Sequence, residues 1–119
     1  MITIYGSSRY AFDRNFVKKV CKEYLESRGV ALDRSLNVAF VGKRKMTDIA
    51  KTYKNENVAL PVLAFPYGRE EVEDQEGVRL MGEVVICFPQ AVLLAAERNK
   101  RLNDILKWLL EHAIDNLLK

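Results

Sequence analysis

The sequence predicts an α+β fold in which a small mixed sheet of about four strands carries helices packed mainly on one side. Strand-type and helix-type patterns alternate along the chain in the order strand, helix, strand, helix, strand, strand, helix, helix. The continuous apolar run Val84-Val85-Ile86 is typical of a central strand. The last helix places its leucines on one face, as expected for a helix that covers a sheet.

Composition predicts one globular domain over residues 1–119. Hydrophobic residues make up 49% of the chain and charged residues 29%, which argues against disorder. The net charge of +3 and the pI near 8.9 are compatible with nucleic-acid binding but do not diagnose it. The first residues alternate like a strand and carry no signal-peptide pattern, and no apolar stretch reaches membrane-spanning length.

In the first half of the chain, Ile2 and Ile4 predict a short strand. A helix is predicted from about Tyr10 to Arg28, ended by Gly29. Its buried stripe is formed by Phe12, Phe16, Val20 and Tyr24, flanked by Val17, Cys21 and Leu25. Residues 36–41 follow as a strand. Thr47 is expected to cap a short helix whose inner face carries Met46, Ile49, Ala50 and Tyr53.

In the second half, residues 62–65 predict a strand that Pro66 ends. The acidic stretch from Tyr67 to Gly77 is interpreted as a solvated loop, with a divalent-cation site as the weaker alternative, because calcium-loop spacing is missing. Pro89 suits the first turn of a helix to about Asn99. The last helix begins near Lys100, and its apolar face comprises Leu102, Ile105, Leu106, Leu109, Ala113 and Leu117.

Three stretches carry a resemblance to a known family. Residues 50–54 and 62–66 are similar to L-N-x-x-Y-R and T-D-V-L-S-F-P, residues 81–87 to L-G-D-I-V-I-S, and residues 90–112 to the stretch that leads into H-G-x-L-H-L-L-G-x-D-H. In this order the chain resembles the YbeY family of metal-dependent endoribonucleases linked to ribosomal RNA maturation. The resemblance implies a YbeY-like, metalloprotease-like architecture.

The departures from these motifs concern the residues that bind RNA and metal in the family. Lys54 replaces the arginine, keeping the charge but losing the planar fork that grips a phosphate, and Leu60-Pro61 replaces Thr-Asp. His112 matches the first metal histidine and Asn116 the second, while the third would follow Lys119. One imidazole is a poor metal site. We therefore expect no cofactor in the chain as it stands, with His112 the metal ligand if any site exists, and zinc if the native chain continues with further histidines.

These observations favour a YbeY-like ribosomal RNA maturation factor whose metal site is degenerate or truncated. The candidate catalytic residues are His112 and Lys54. The candidate RNA-binding residues are Lys54, Lys43, Arg44 and Lys45, and further basic residues lie at Arg98, Lys100 and Arg101. We expect ribosomal RNA or the small ribosomal subunit as partner, with no membrane, no DNA and a cytoplasmic location.

Two alternatives stay open on the same scaffold. One is an RNA-binding or ribosome-binding protein without catalysis. The other is a protein-interaction module in which a second copy or another protein covers Leu110, Leu117 and Leu118.

Two further groups of residues could carry chemistry. Cys21 and Cys87 are expected to be buried, reduced thiols, although a nucleophilic pair of Cys87 with His112 is conceivable. Glu83 could act as an acid or base, or form hydrogen bonds at the end of a strand.

Overall fold

The computed structural model describes residues 1–30, 34–67, 77 and 79–119. The predicted order of strands and helices is confirmed. The elements are β1 (Ile2–Tyr5), α1 (Arg14–Ser27), β2 (Ser35–Val41), α2 (Lys43–Lys54), β3 (Val62–Pro66), β4 (Leu80–Cys87), α3 (Phe88–Glu97) and α4 (Leu102–Leu117).

The strands form one mixed sheet in the order β1-β2-β4-β3. β1 and β4 both run parallel to β2, whereas β3 runs antiparallel to β4 and forms an edge. Strand β4 is thus paired on both sides, and Val84 and Ile86 are fully buried. The prediction of a central strand at residues 84–86 is confirmed, because a run without polar alternation suits a strand that is covered on both faces.

Helices cover the two faces of the sheet unequally. The larger core joins α1, α3 and α4 to one face through side chains such as Leu36, Val84 and Ile86. The smaller core joins α2 to the other face through Met46 and Ala50. Most of the helical mass therefore lies on one side, as predicted, and α2 lies alone on the opposite side among the described residues.

The first helix is shorter than predicted. It begins at Arg14, where the Asp13 carboxylate accepts a hydrogen bond of 3.0 Å from the Phe16 backbone N–H, so Phe12 precedes the helix. The buried stripe comprises Val17, Val20, Cys21 and Leu25. The predicted flanking residues Val17, Cys21 and Leu25 are buried, whereas the aromatic rings of the predicted stripe lie at the border of the core. Phe12 stacks on Phe40 at 3.9 Å between ring centroids. Gly29 ends the helix at a φ of 73°, as predicted.

The second helix begins earlier than predicted. Its first residue is Lys43, and Gly42 occupies the cap position assigned to Thr47. The Thr47 hydroxyl instead donates a hydrogen bond of 2.8 Å to the Lys43 carbonyl inside the helix. The basic run at residues 43–45 therefore forms the first helical turn.

The last helix is buried as a core element. Leu110 is fully buried and Leu117 is 8% exposed, so the surface needed by the protein-interaction hypothesis lies largely inside the chain's own core. Of that trio, Leu118 is the exposed member. Most of the acidic stretch from Tyr67 to Gly77 lies outside the described residues. Within the described ranges, no helix is long and apolar enough to cross a membrane.

Candidate functional site

A groove of about 420 Å³ lies between the edge strand β3 and helix α4. We call it the Lys54 groove, and its lining residues are Lys54, Val62, Leu63, Ala64, His112, Ala113 and Asn116. The structure thus places the two candidate catalytic residues, Lys54 and His112, around one cavity although they are distant in sequence. The family resemblance implies an RNA groove between the end of the central strand and the last helix, and in the structure the wall that faces α4 is the edge strand β3.

Lys54 reaches this groove from the end of α2. It is the last helical residue, and Asn55 follows in the left-handed region with a φ of 54°. The Asn55 N–H donates to the Ala50 carbonyl, so the chain turns sharply here. The exposed ammonium group of Lys54 lies at the negative end of the helix dipole, a favourable position for a cation.

His112 lies on the exposed face of α4. Its ring stacks with that of Trp108 one turn earlier, at 6.3 Å between centroids and an interplanar angle of 27°. The Arg98 guanidinium lies 4.9 Å from the centre of the indole. Trp108 was not predicted as a site residue. Its position four residues before His112 places both side chains on one face of the helix, which would have indicated it. Arg98, Trp108 and His112 form a continuous cationic and aromatic surface that leads to the Lys54 groove.

Asp115 is held by residues at the end of α1. Its two carboxylate oxygens accept hydrogen bonds of 2.9 and 2.8 Å from the Tyr24 hydroxyl, and one oxygen pairs with Arg28 at 3.0 Å. These contacts tie α4 to α1, and Asp115 does not line the Lys54 groove. The carboxylate is therefore engaged in helix packing.

The donor set at the Lys54 groove does not fit the zinc site of the family. His112 supplies an imidazole and Asn116, one turn later on the same face, supplies a carboxamide. Zinc sites in proteins are built from imidazole, thiolate and carboxylate ligands. Across residues 1–30, 34–67, 77 and 79–119, no three side chains of His, Cys, Asp or Glu converge.

A second groove, of about 510 Å³, lies on the opposite face of the sheet beside α2. We call it the aromatic groove, and its lining residues are Ala39, Val41, Lys45, Ile49, Tyr53, Phe65, Pro66, Tyr67, Glu83 and Val85. The Tyr67 hydroxyl donates a hydrogen bond of 2.6 Å to Glu83 Oε2. Burial and this hydrogen bond raise the pKa of Tyr67 to about 12, so the phenol keeps its proton at neutral pH.

The basic run is placed closer to the aromatic groove than to Lys54. Lys43 and Lys54 are the first and last residues of α2, which separates them by about 16 Å along the helix axis. Arg44 and Lys45 lie in the same first turn, and Lys45 lines the aromatic groove. Of the candidate RNA-binding residues, Lys54 therefore lines one groove and Lys45 the other.

The structure separates Cys87 from His112. Cys87 packs with Met46 and Ala50 on the α2 face, whereas α4 covers the other face. A nucleophilic pair of these two residues is excluded by that separation. Both cysteines are free and buried as predicted, and burial raises the pKa of Cys21 to about 12.

Comparison with known proteins supports the family resemblance that the motifs indicate. The family model described as Endoribonuclease YbeY matches residues 7–118. A protein of Desulforamulus reducens named Endoribonuclease YbeY is 32% identical over 104 residues, which cover 86% of this chain and 68% of that protein. A protein of the same name from Azoarcus sp. is 34% identical over 86 residues, which cover 71% of this chain and 34% of that protein.

A solved structure also matches the fold of this chain. The solution structure of TM1509 from Thermotoga maritima matches with a TM-score of 0.63 at 23% identity, covering all of this chain and 73% of that one. At this identity the structural match supports the α+β fold, whereas the family model and the curated relatives support the family. The chain therefore belongs to the YbeY endoribonuclease family.

Proposed function

We propose that this chain binds RNA in ribosomal RNA maturation, with the RNA backbone lying in the Lys54 groove. The observation that carries the proposal is the placement of Lys54 and His112 around one groove between β3 and α4. An ammonium group contacts a phosphate as a point charge and releases the counterions condensed on it. The exposed surface of Arg98, Trp108 and His112 extends this groove with a cation and aromatic rings, which suit single-stranded RNA.

We further propose that residues 1–119 hold RNA in this groove without zinc-dependent cleavage. Asn116 stands where the family motif has its second metal histidine, and its amide is a weak substitute for an imidazole. Lys54 and His112 are thus assigned to binding. The partner we propose is ribosomal RNA or the small ribosomal subunit. We propose the cytoplasm as the location, because the two buried, free cysteines suit a reducing compartment.

A salt titration of binding to single-stranded RNA tests the proposal. Lys54→Ala should weaken binding to all sequences and lower the slope of log K against log salt by about one unit, because one phosphate contact is lost. The matched control is Lys51→Ala, since Lys51 is exposed on the same helix but does not line the groove. Its smaller effect would separate a local contact from the general field of the helix.

Cleavage is measured in the same samples, with and without a chelator. We expect no chelator-sensitive cleavage from the unsubstituted chain and only a small loss of affinity on His112→Ala, because this change removes a ring at the border of the groove and no phosphate contact. Equal affinity and an equal salt slope for Lys54→Ala and Lys51→Ala would show that Lys54 is not part of the binding site. Absence of binding at low salt would contradict RNA binding as a whole, and cleavage that a chelator abolishes would contradict the proposal on zinc.

A further inference from the structure

The aromatic groove has features that the proposed RNA-binding site on the other face does not use. It combines three aromatic rings with a carboxylate and a lysine: Tyr53, Phe65, Tyr67, Glu83 and Lys45. Its volume of about 510 Å³ lies in the range of small-molecule sites in proteins. Apolar walls with a few polar groups are the usual composition of a site that binds a flat, partly polar ligand.

We propose that the aromatic groove binds an unpaired nucleobase of the RNA strand whose backbone contacts Lys54. This inference rests on the proposed RNA binding and adds to it a subsite on the opposite face of the sheet. The base belongs to the class that carries an exocyclic amino group, namely adenine, cytosine or guanine.

The first step of the argument is the exposure of Tyr53. Its ring contacts Phe65 at 5.0 Å between centroids and an interplanar angle of 68°, yet Tyr53 is 65% exposed. A large aromatic side chain that is anchored by a neighbour and still exposed offers ring surface to a ligand. Stacking on such a ring is the main way in which proteins hold single-stranded bases.

The second step is the polarity of Glu83. Tyr67 donates to its carboxylate and keeps its proton at neutral pH, so this hydrogen bond orients an acceptor at the groove wall. A carboxylate accepts hydrogen bonds from amino groups such as cytosine N4, whereas uracil presents a carbonyl oxygen at the equivalent position. The groove therefore favours a base with an amino group.

The third step is continuity with the Lys54 groove. Tyr53 and Lys54 are consecutive residues, and the edge strand β3 supplies Phe65 to one groove and Ala64 to the other. Lys45, Ile49 and Tyr53 follow one another at intervals of one helical turn along α2. A strand that crosses the edge at β3 can thus contact Lys54 with a phosphate, Tyr53 with a base, and the basic first turn of α2 beyond it.

The decisive comparison is between Tyr53→Leu and Tyr53→Phe. Leucine keeps apolar bulk but removes the ring, whereas phenylalanine keeps the ring and removes the hydroxyl. With oligo(C) of roughly ten nucleotides, we expect Tyr53→Leu to raise Kd about 5- to 100-fold, as for loss of one stacked base. Tyr53→Phe should bind like the unsubstituted chain, and the salt slope should stay unchanged in both, because no phosphate contact is removed.

An abasic oligonucleotide separates base stacking from other effects. The unsubstituted chain and Tyr53→Leu should bind it equally, and an equal loss on both substrates would overturn the inference. Equal binding of oligo(C) by Tyr53→Leu and Tyr53→Phe would also overturn the inference of base stacking. That result would favour an apolar segment of a protein partner as the occupant of the aromatic groove. In those cases a lowered salt slope in Lys54→Ala would still support RNA binding, so the two proposals fail separately.

Base preference tests the role of Glu83. Oligo(C) should bind more tightly than oligo(U), since the two pyrimidines are similar in size and differ at the amino group. Glu83→Gln replaces the carboxylate with an amide that both donates and accepts, so the preference for oligo(C) should shrink or disappear. An unchanged preference in Glu83→Gln would remove Glu83 from base recognition.

Discussion

At the scale of single residues, Asn116 limits the set of metal ligands at the Lys54 groove. It lies one turn after His112 on the same face of α4, so the geometry for a pair of metal ligands is present. The carboxamide supplies one weak oxygen donor where an imidazole nitrogen would bind a first-row metal. Within the described residues, Asn116 thus replaces one of the imidazoles that the family motif places on this helix.

We expect Asn116→His to create a metal site from the existing geometry. Two imidazoles separated by one helical turn can bind the same ion, so the affinity for Zn²⁺ should rise by about tenfold or more over the unsubstituted chain. Competition with a chromophoric chelator measures the change. The control combines Asn116→His with His112→Ala, which should return the affinity to its original value. One equivalent of zinc in the unsubstituted chain, lost on His112→Ala, would contradict this view of the donor set.

Lys54 lies both in the last turn of a helix and in the wall of a cavity. A lysine in the last turn of a helix is commonly explained by the helix dipole alone. Here the same residue also lines a cavity together with His112, which the local pattern does not indicate. Exposure and charge follow from the sequence near Lys54, whereas the expectation that it shares a site with His112 rested on the family resemblance.

At the scale of elements, β3, β4 and α4 meet at Gly82. A Cβ atom at this position would lie 2.8 Å from the Phe65 carbonyl oxygen of β3 and 2.8 Å from a methyl carbon of Leu117 on α4. The glycine thus permits the close approach of three elements, two of which, β3 and α4, form the walls of the Lys54 groove. This is a physical reason for glycine in the Met81-Gly82-Glu83 motif.

We expect Gly82→Ala to destabilise the fold by about 1–3 kcal/mol, the usual cost of overpacking, with a lower melting temperature. Leu117 can move its side chain, but the Phe65 carbonyl belongs to the backbone of a paired strand. Most of the loss should therefore persist when Gly82→Ala is introduced into a chain that already carries Leu117→Ala, as thermal unfolding would measure. An unchanged melting temperature in Gly82→Ala would show that the contact is not restrictive.

At the scale of the whole molecule, the two faces of the sheet carry cores of different size. The face covered by α1, α3 and α4 contains the larger core, in which Cys21 is fully buried. The face covered by α2 carries the smaller core with Cys87 and borders the aromatic groove. Burial also raises the pKa of the Cys87 thiol. Both cysteines are therefore part of the packing and depend on the integrity of the whole fold.

The buried thiols predict how stability depends on pH. The ordinary pKa of cysteine is 9.0 and that of Cys21 in the fold is raised to about 12, so between these values the unfolded chain binds fewer protons than the folded chain. The free energy of unfolding should be unaffected by Cys21 below pH 9 and decrease as the pH rises from 9 toward 12. Denaturant unfolding at several pH values measures this.

Cys21→Ala is the control for this dependence, because lysines and tyrosines also titrate in the alkaline range. It should be less stable overall, since a buried sulfur is removed, but its stability should decline less with rising pH. Identical pH dependence in both proteins, or rapid labelling of Cys21 by a thiol reagent in the native state, would contradict the burial of this thiol.

The sequence by itself determined the order of the elements, the central position of residues 84–86 and the apolar face of α4. These features follow from periodicity within one segment, where each side chain's environment repeats with the helix or strand. The family motifs likewise identified Lys54, His112 and Asn116, because they are short patterns in one dimension. The bounds of α1 and α2 were less accurate, since Asp13 and Gly42 compete with other plausible caps nearby.

Only the tertiary structure decided which residues share a cavity. Local periodicity did not predict that α2 covers the face opposite to α4, which separates Cys87 from His112 and brings Tyr53, Phe65 and Glu83 together. Such placement depends on how strands pair and on which face of the sheet each helix covers. Those choices are made by contacts between distant segments, and no pattern within a single segment contains them.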